Sequence, residues 1–348
     1  GGGGGGAETP QPARGELRST AQIALTLPAA GIDAETAQTG LQALSGPARC
    51  NVSIVPLDFH TPAPAGEMTN STGVLLLPSG SDPACQGPHP LAVMSKGSES
   101  TRFPSVADPK PRYTGLVIAM LASQGYAVVS ADMLGYAGSS LGFSPYLHAD
   151  SAATTTIDSI RAARAAARAL GATLSDGLLL SGYSQGGHTT AATLRAIERE
   201  AKGEFHVLAA SLQSPPLDLE ASVRSPDAVI GYQDFATMLI VGYQKVYGSI
   251  YTAPGEVFRP PYAQDIENIL PAMDYAAVIA AGKLPALPDP AANRDLLLQP
   301  AFIDAVRHDD ANPLVQAARA NSLLGWMPQS PTLVCYGSKD QTVPSALH

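Results

Sequence analysis

The pentapeptide Gly182-Tyr183-Ser184-Gln185-Gly186 sets a serine between two glycines. A hydroxyl in that setting acts as a nucleophile when a sharp turn presents it to substrate and a base accepts its proton. The flanks are what such a turn needs. Asp176-Gly177-Leu178-Leu179-Leu180-Ser181 reads as a buried strand, and the run from Gln185 to Glu200 reads as a helix. Ser184 therefore falls on a strand-to-helix turn, where a strained backbone is expected, with Gly182 and Gly186 leaving room for neighbouring main chain. The helix start offers free N–H groups to a developing oxyanion. One donor is expected from the Gln185 N–H. The second is expected from Ser95-Lys96-Gly97-Ser98-Glu99, with Gly97 or Ser98 as the candidate. The competing reading is a glycine-rich turn around an inert serine, and the strand and helix on either side argue against it.

Short apolar runs alternate with helical patterns along the chain, the signature of a sheet wrapped by helices. Strands are predicted at residues 52–59, 73–77, 91–94, 127–132, 178–181, 207–212 and 332–336. The later ones are near-continuous Val/Leu/Ala runs, as parallel strands covered on both faces require. The first two alternate, like antiparallel strands at an edge. A helix is predicted over 154–170, with Ile157, Ile160, Ala163, Ala167 and Leu170 on one face and Gly171 to end it. Between Pro215 and Pro331 the alternation stops. That stretch is too long for a plain loop and reads as an inserted, mainly helical lid.

Two further motifs join Ser184. Asp132-Met133-Leu134-Gly135-Tyr136-Ala137-Gly138-Ser139 resembles a structural turn of many α/β-hydrolases. The segment from Pro331 to Pro344 resembles the strand and acid-bearing turn of the same fold, with Asp340 in the place of the triad acid, which would orient a histidine. Other matching stretches are Gly87-Pro88-His89-Pro90-Leu91, Leu121-Ala122-Ser123-Gln124-Gly125-Tyr126, Pro145-Tyr146-Leu147-His148, Leu180 to Thr189 and Asn321 to Leu333. On these the chain resembles a secreted bacterial lipase/esterase family that includes cell-wall-degrading esterases of plant-pathogenic xanthomonads. The resemblance implies an α/β-hydrolase fold: a mostly parallel central sheet flanked by helices, with an inserted lid. Residues 45–215 and 326–348 would form the core, 216–325 the lid and 1–44 an N-terminal extension. It implies a Ser–His–Asp carboxylic-ester hydrolase acting on acylated cell-wall glycosides or short-to-medium acyl esters. It also implies a secreted, extracellular or periplasmic protein.

Two departures accompany the resemblance. The family's loop near Ser-His-Gly-Thr is here Ser95-Lys96-Gly97-Ser98, which changes the polarity beside the oxyanion donors. The triad histidine should follow the acid by several tens of residues, whereas the sequence runs only eight positions from Asp340 to His348. His348 is too near the acid to serve, so the histidine is expected outside this sequence, the other reading being an inactive chain. Of the remaining histidines, His188 is expected to pack within its helix. His148 could border the pocket or cap structure. His60, His89 and His206 are expected at the surface, and His308 in a solvated charge cluster beside Asp309 and Asp310. Tyr243, Tyr247 and Tyr251 recur every four residues, forming one helical stripe. The stripe either packs on the core or offers Tyr243 and Tyr247 to an acyl chain or sugar ring.

The net charge of −9 and 45% hydrophobic content fit a folded domain and argue against nucleic acid or an anionic membrane surface as a partner. No apolar run is long enough to span a membrane. No spacing suggests a metal, and ester hydrolysis at a serine calls for no cofactor. A monomer is expected. Cys50 and Cys85 both sit in turn-rich segments, where a disulfide is open but not required, and Cys335 in its apolar run is expected as a buried thiol. The rivals to an esterase are an inactive α/β-hydrolase that binds glycans or lipids, and an amidase on the same scaffold.

Overall fold

The computed structural model describes Gly6, residues 10–225 and residues 233–336. In chain order come β1 (Leu25–Leu27), α1 (Ala29–Thr39), α2 (Gln42–Ser45), β2 (Asn51–Pro62), β3 (Met68–Ser79) and β4 (His89–Ser95). Then follow α3 (Arg112–Met120), β5 (Ala127–Ala131), α4 (Ala149–Ala169), β6 (Leu174–Tyr183), α5 (Gln185–Glu200) and β7 (His206–Gln213). Six helices come next: α6 (Leu219–Arg224), α7 (Gln233–Tyr247), α8 (Tyr275–Ala280), α9 (Pro290–Leu297), α10 (Pro300–His308) and α11 (Pro313–Ala320). The last described element is β8 (Thr332–Cys335).

The strands form one sheet in the order β1-β2-β3-β5-β4-β6-β7-β8. β1, β2, β3 and β5 pair antiparallel, and β5, β4, β6, β7 and β8 pair parallel. This is the α/β-hydrolase arrangement the sequence predicts. Strands β2 and β3 run longer than their alternation suggests because they pair along their whole length, from Asn51 with Ser79 to Pro62 with Met68. Strand β1 escapes prediction because it has three residues, too few for a pattern.

Both faces of the sheet are covered. On one, Val55, Leu75, Val129, Leu178 and Leu180 meet Ile157, Ile160 and Ala163 of α4 and Leu194 and Ile197 of α5. On the other, Ile54, Val74, Leu76 and Val128 meet Ile32 of α1 and Val117 and Ile118 of α3. Each fully buried Leu, Ile or Val contributes about 1.5–3 kcal/mol, so these two layers hold the sheet that carries Ser184. Helix α4 starts at Ala149 rather than residue 154, because His148 caps it: its Nδ1 accepts from the Ser151 N–H at 3.3 Å. Histidine is not among the usual caps, so the sequence carries no such signal.

Residues 219–320 build a third core of their own. Tyr243, Phe258, Leu297, Leu298, Leu314 and Val315 bury together, joined by Tyr146 and Leu147. Three of its helices, α9, α10 and α11, have a proline in their first turn, where the missing N–H costs nothing. That placement gives Pro290, Pro300 and Pro313 a helix-starting role.

Cys50 and Cys85 form a disulfide between the start of β2 and the turn beyond β3. Two expectations are corrected. Cys335 is a free, exposed cysteine, because β8 ends the described sheet and has a strand on one side only. His89 is buried at 5% exposure, its Nδ1 3.2 Å from the Gly125 carbonyl, since the first residue of β4 lies under the turn that leads into β5.

Candidate active site

Strand β6 ends at Tyr183 and helix α5 begins at Gln185, leaving Ser184 alone on the turn. Its φ of 55° and ψ of −118° put a non-glycine residue at positive φ, a strained conformation that the surrounding bonds must hold. The Ser184 N–H donates to the Gln213 carbonyl at 2.8 Å, and its own carbonyl accepts from Gly187 at 2.9 Å and His188 at 3.2 Å. The glycines are required by contact. A Cβ at Gly182 would lie 2.1 Å from the Gly186 carbonyl oxygen, and one at Gly186 would lie 2.1 Å from the Ser95 oxygen. The turn thus closes on itself and on the end of β4.

Both expected donor segments meet at this turn. Gln185 opens α5, with its N–H among the groups an α-helix leaves without an internal acceptor. Gly97 passes over the turn, close enough that a Cβ there would touch the Tyr183 carbonyl oxygen at 3.5 Å. Ser98 Oγ lies 2.6 Å from the Tyr146 hydroxyl. The unusual Lys96 is paired, its Nζ 3.4 Å from Glu99 and over the Tyr113 ring. Beside Gln185 a small cavity is lined by Met133, Leu134, Pro145, Leu147 and Thr189. Asp132 receives hydrogen bonds from Thr72, Ser105 and the Val106 N–H, each at 2.7 Å, a structural knot as expected.

Asp340 and His348 lie outside the described residues. His188 and His148 are engaged elsewhere. His188 is fully buried, and its Nε2–H donates to the Asn321 carbonyl at 2.9 Å. Burial drives its pKa down to about 4, so it is neutral at pH 7; the Asn321 carbonyl offsets part of this. His148 is also buried, tied to Ser151, with its ring edge-on to Tyr247 at 5.8 Å. Burial lowers its pKa against the opposing pull of Asp150.

Of the candidate substrate-binding residues, Tyr243 is wholly buried, its hydroxyl donating to the Leu147 carbonyl at 2.8 Å. This is the packing role, because α7 turns that face into the third core. His148 is likewise spent on capping. Tyr247, at 41% exposure, keeps surface free for a ligand. Tyr251 bonds Glu267 at 2.9 Å. The sequence reading missed Asn321, whose side chain accepts from the Ala149 N–H and donates to Tyr247, both at 2.8 Å. An asparagine that joins α4, α5 and α7 only in three dimensions leaves no local signal.

The comparisons with known proteins bear on this geometry. A model of the family described as "Secretory lipase" matches residues 110–252. The rice cell wall degrading esterase LipA from Xanthomonas oryzae, solved in a ligand-bound form, is 35% identical with a TM-score of 0.86, over 97% of this chain and 86% of that one. A Legionella pneumophila structure at 21% identity has a TM-score of 0.80, over 95% of this chain and 86% of that one. Candida antarctica lipase A, 16% identical, has a TM-score of 0.64 over 96% of this chain and 72% of its own. The last two speak to the fold alone. No curated protein matches the sequence.

Proposed function

We propose, from the premise that the chain belongs to the secretory lipase family and is a carboxylic-ester hydrolase, that Ser184 is the nucleophile. In this reading Ser184 Oγ attacks the ester carbonyl, an acyl-enzyme forms as the alcohol leaves, and water then releases the acid. The oxyanion is held by the Gln185 N–H and an N–H from the Gly97–Ser98 stretch. The observation that carries the reading is Ser184's positive φ on a turn that tolerates no Cβ on either flanking glycine. Asp340 is assigned as the acid that orients the proton-accepting histidine, and no described histidine is assigned that part.

The small cavity beside Gln185, lined by Met133, Leu134 and Leu147 together with Ser144 and Thr189, marks the side from which we assign the acyl group to approach. Residues 216–325 act as a lid over the nucleophile, with Tyr247 as a platform for a sugar ring. The relative from Xanthomonas oryzae is called a cell wall degrading esterase. An acylated cell-wall glycoside is accordingly the substrate class we assign here. The chain is read as secreted: its family is secretory, and it carries a disulfide, which persists in oxidising compartments. No described helix is long and apolar enough to cross a membrane.

The test is hydrolysis of p-nitrophenyl butyrate and labelling by a fluorophosphonate. Wild-type protein should turn over the ester and take the label at Ser184, and Ser184→Ala should lose roughly 10³-fold or more in kcat and all label. Full activity in Ser184→Ala would sink the assignment. Wild-type binding of the glycoside without turnover would point to a binding module instead.

A further inference from the structure

The loop that follows β4 is tied down residue by residue. Ser98 Oγ meets the Tyr146 hydroxyl at 2.6 Å. The Tyr136 hydroxyl donates to the Glu99 carbonyl at 2.7 Å. The Ser100 hydroxyl donates to the Asp234 carboxylate. Ala272 and the loop then exchange a pair of main-chain bonds, Ala272 N–H to the Ser100 carbonyl and Arg102 N–H to the Ala272 carbonyl, both 2.8 Å. Two of these anchors, Asp234 at the start of α7 and Ala272, belong to the helical segment beyond β7. A third is joined to it: the Tyr146 ring stacks on Phe235, next to Asp234, with centroids 6.4 Å apart. Tyr146 is 2% exposed and Tyr136 8%, so neither hydroxyl can swing into water.

We propose that Tyr146 and Asp234 are positioning residues for ester hydrolysis. Acting through Ser98 and Ser100, they fix the main chain of residues 97–98 and so the second oxyanion donor opposite the Gln185 N–H. This inference rests on the assignment of Ser184 and Gln185 above. A loop centred on a glycine has wide conformational freedom of its own, and ordering it costs about 1–2 kcal/mol per residue. An oxyanion donor works only when it is already aimed at the place where charge develops. Displacing it by about 1 Å costs up to 10²-fold in rate. The side-chain tethers meet the ordering cost during folding rather than in each turnover. Because Asp234 and Ala272 sit on the helical segment, any shift of that segment carries the donor loop with it.

The test is steady-state kinetics with p-nitrophenyl butyrate on the purified full chain. Tyr146→Phe keeps the ring on Phe235 and removes the tether, and Ser98→Ala cuts the same bond from the other side without touching the Ser98 N–H. Each should lower kcat about tenfold with KM changed by less than about twofold. The double variant should be no slower than the slower single, since both remove one interaction. Asp234→Ala should lose a similar factor, and Asp234→Asn, which keeps an acceptor oxygen for Ser100, should recover most of it. Melting curves identify any variant that fails to fold, and the Ser98 and Asp234 variants then carry the comparison. Wild-type kcat in both single variants, losses that multiply in the double, or an Asp234→Asn as slow as Asp234→Ala would overturn the proposal. A parallel Ser184→Ala separates the two readings. Retained hydrolysis there removes the nucleophile assignment itself. Its loss beside a fully active Tyr146→Phe removes only the positioning role.

Discussion

Ser184 and His188 sit four residues apart and answer to different forces. Ser184 is strained in the backbone and half-buried, while His188 has helical neighbours on both sides and is sealed from water at 0% exposure. That burial has a consequence for acid stability. The folded-state pKa of His188 lies at about 4, against about 6.5 for an unfolded histidine. Between these values the unfolded chain binds the extra proton, so stability falls as pH drops from 6.5 toward 4, by about 3 kcal/mol from this group. Melting temperatures of wild type and His188→Gln across pH 7.5 to 4.5 check this. The wild type should fall more steeply below pH 6.5, and equal slopes would assign the acid sensitivity elsewhere. The serine was legible because its motif is local. Tyr243 was ambiguous because a four-residue stripe reads the same whether it faces a ligand or the helical core, and the structure turns it inward.

At the scale of elements, the turn between β6 and α5 is a contact between three pieces of main chain. Gly182 abuts Gly186, and Gly186 abuts the last residue of β4. Gly182→Ala and Gly186→Ala should each cost about 1–3 kcal/mol by overpacking. Gly186→Ala should in addition push the end of β4, and with it the loop of residues 97–98 proposed to hold the oxyanion, away from Ser184. Comparing the two variants by denaturant unfolding and by kcat checks this: at equal stability loss, Gly186→Ala should be the slower enzyme. The parallel strands and α5 were readable because two-sided burial writes continuous apolar runs and a 3.6-residue period into the chain. Helix α1 was not, since it buries only Ile32 and Thr36 and so has almost no apolar period. The lacing of residues 98–102 to Tyr136, Tyr146, Asp234 and Ala272 was equally hidden, because every partner lies more than thirty positions away in the chain.

Among the described residues of the whole molecule, four apolar clusters share the work: one on each face of the sheet, one within the helical segment, and a small one joining α4, α5, β7 and Leu323. The disulfide serves only the first part of this plan. It closes a stretch 35 residues apart in sequence, across β2 and β3. In the chain-entropy view, closing such a loop stabilises the fold by about 3–4 kcal/mol. A Cys50→Ala/Cys85→Ala variant should therefore lose up to that amount in urea unfolding while keeping its kcat, because the bridge lies far from Ser184 along the sheet order. A large fall in kcat at matched folded fraction would contradict the separation.

Cys335, the exposed thiol on β8, is aligned across the sheet with Gln213, whose carbonyl holds the Ser184 N–H. With the other two cysteines locked in their bridge, a fluorophore or nitroxide attached by thiol chemistry would go to this one position. This sequence thus supplies a spectroscopic window onto the turn that carries Ser184, two strands away across β7, without any engineered attachment point.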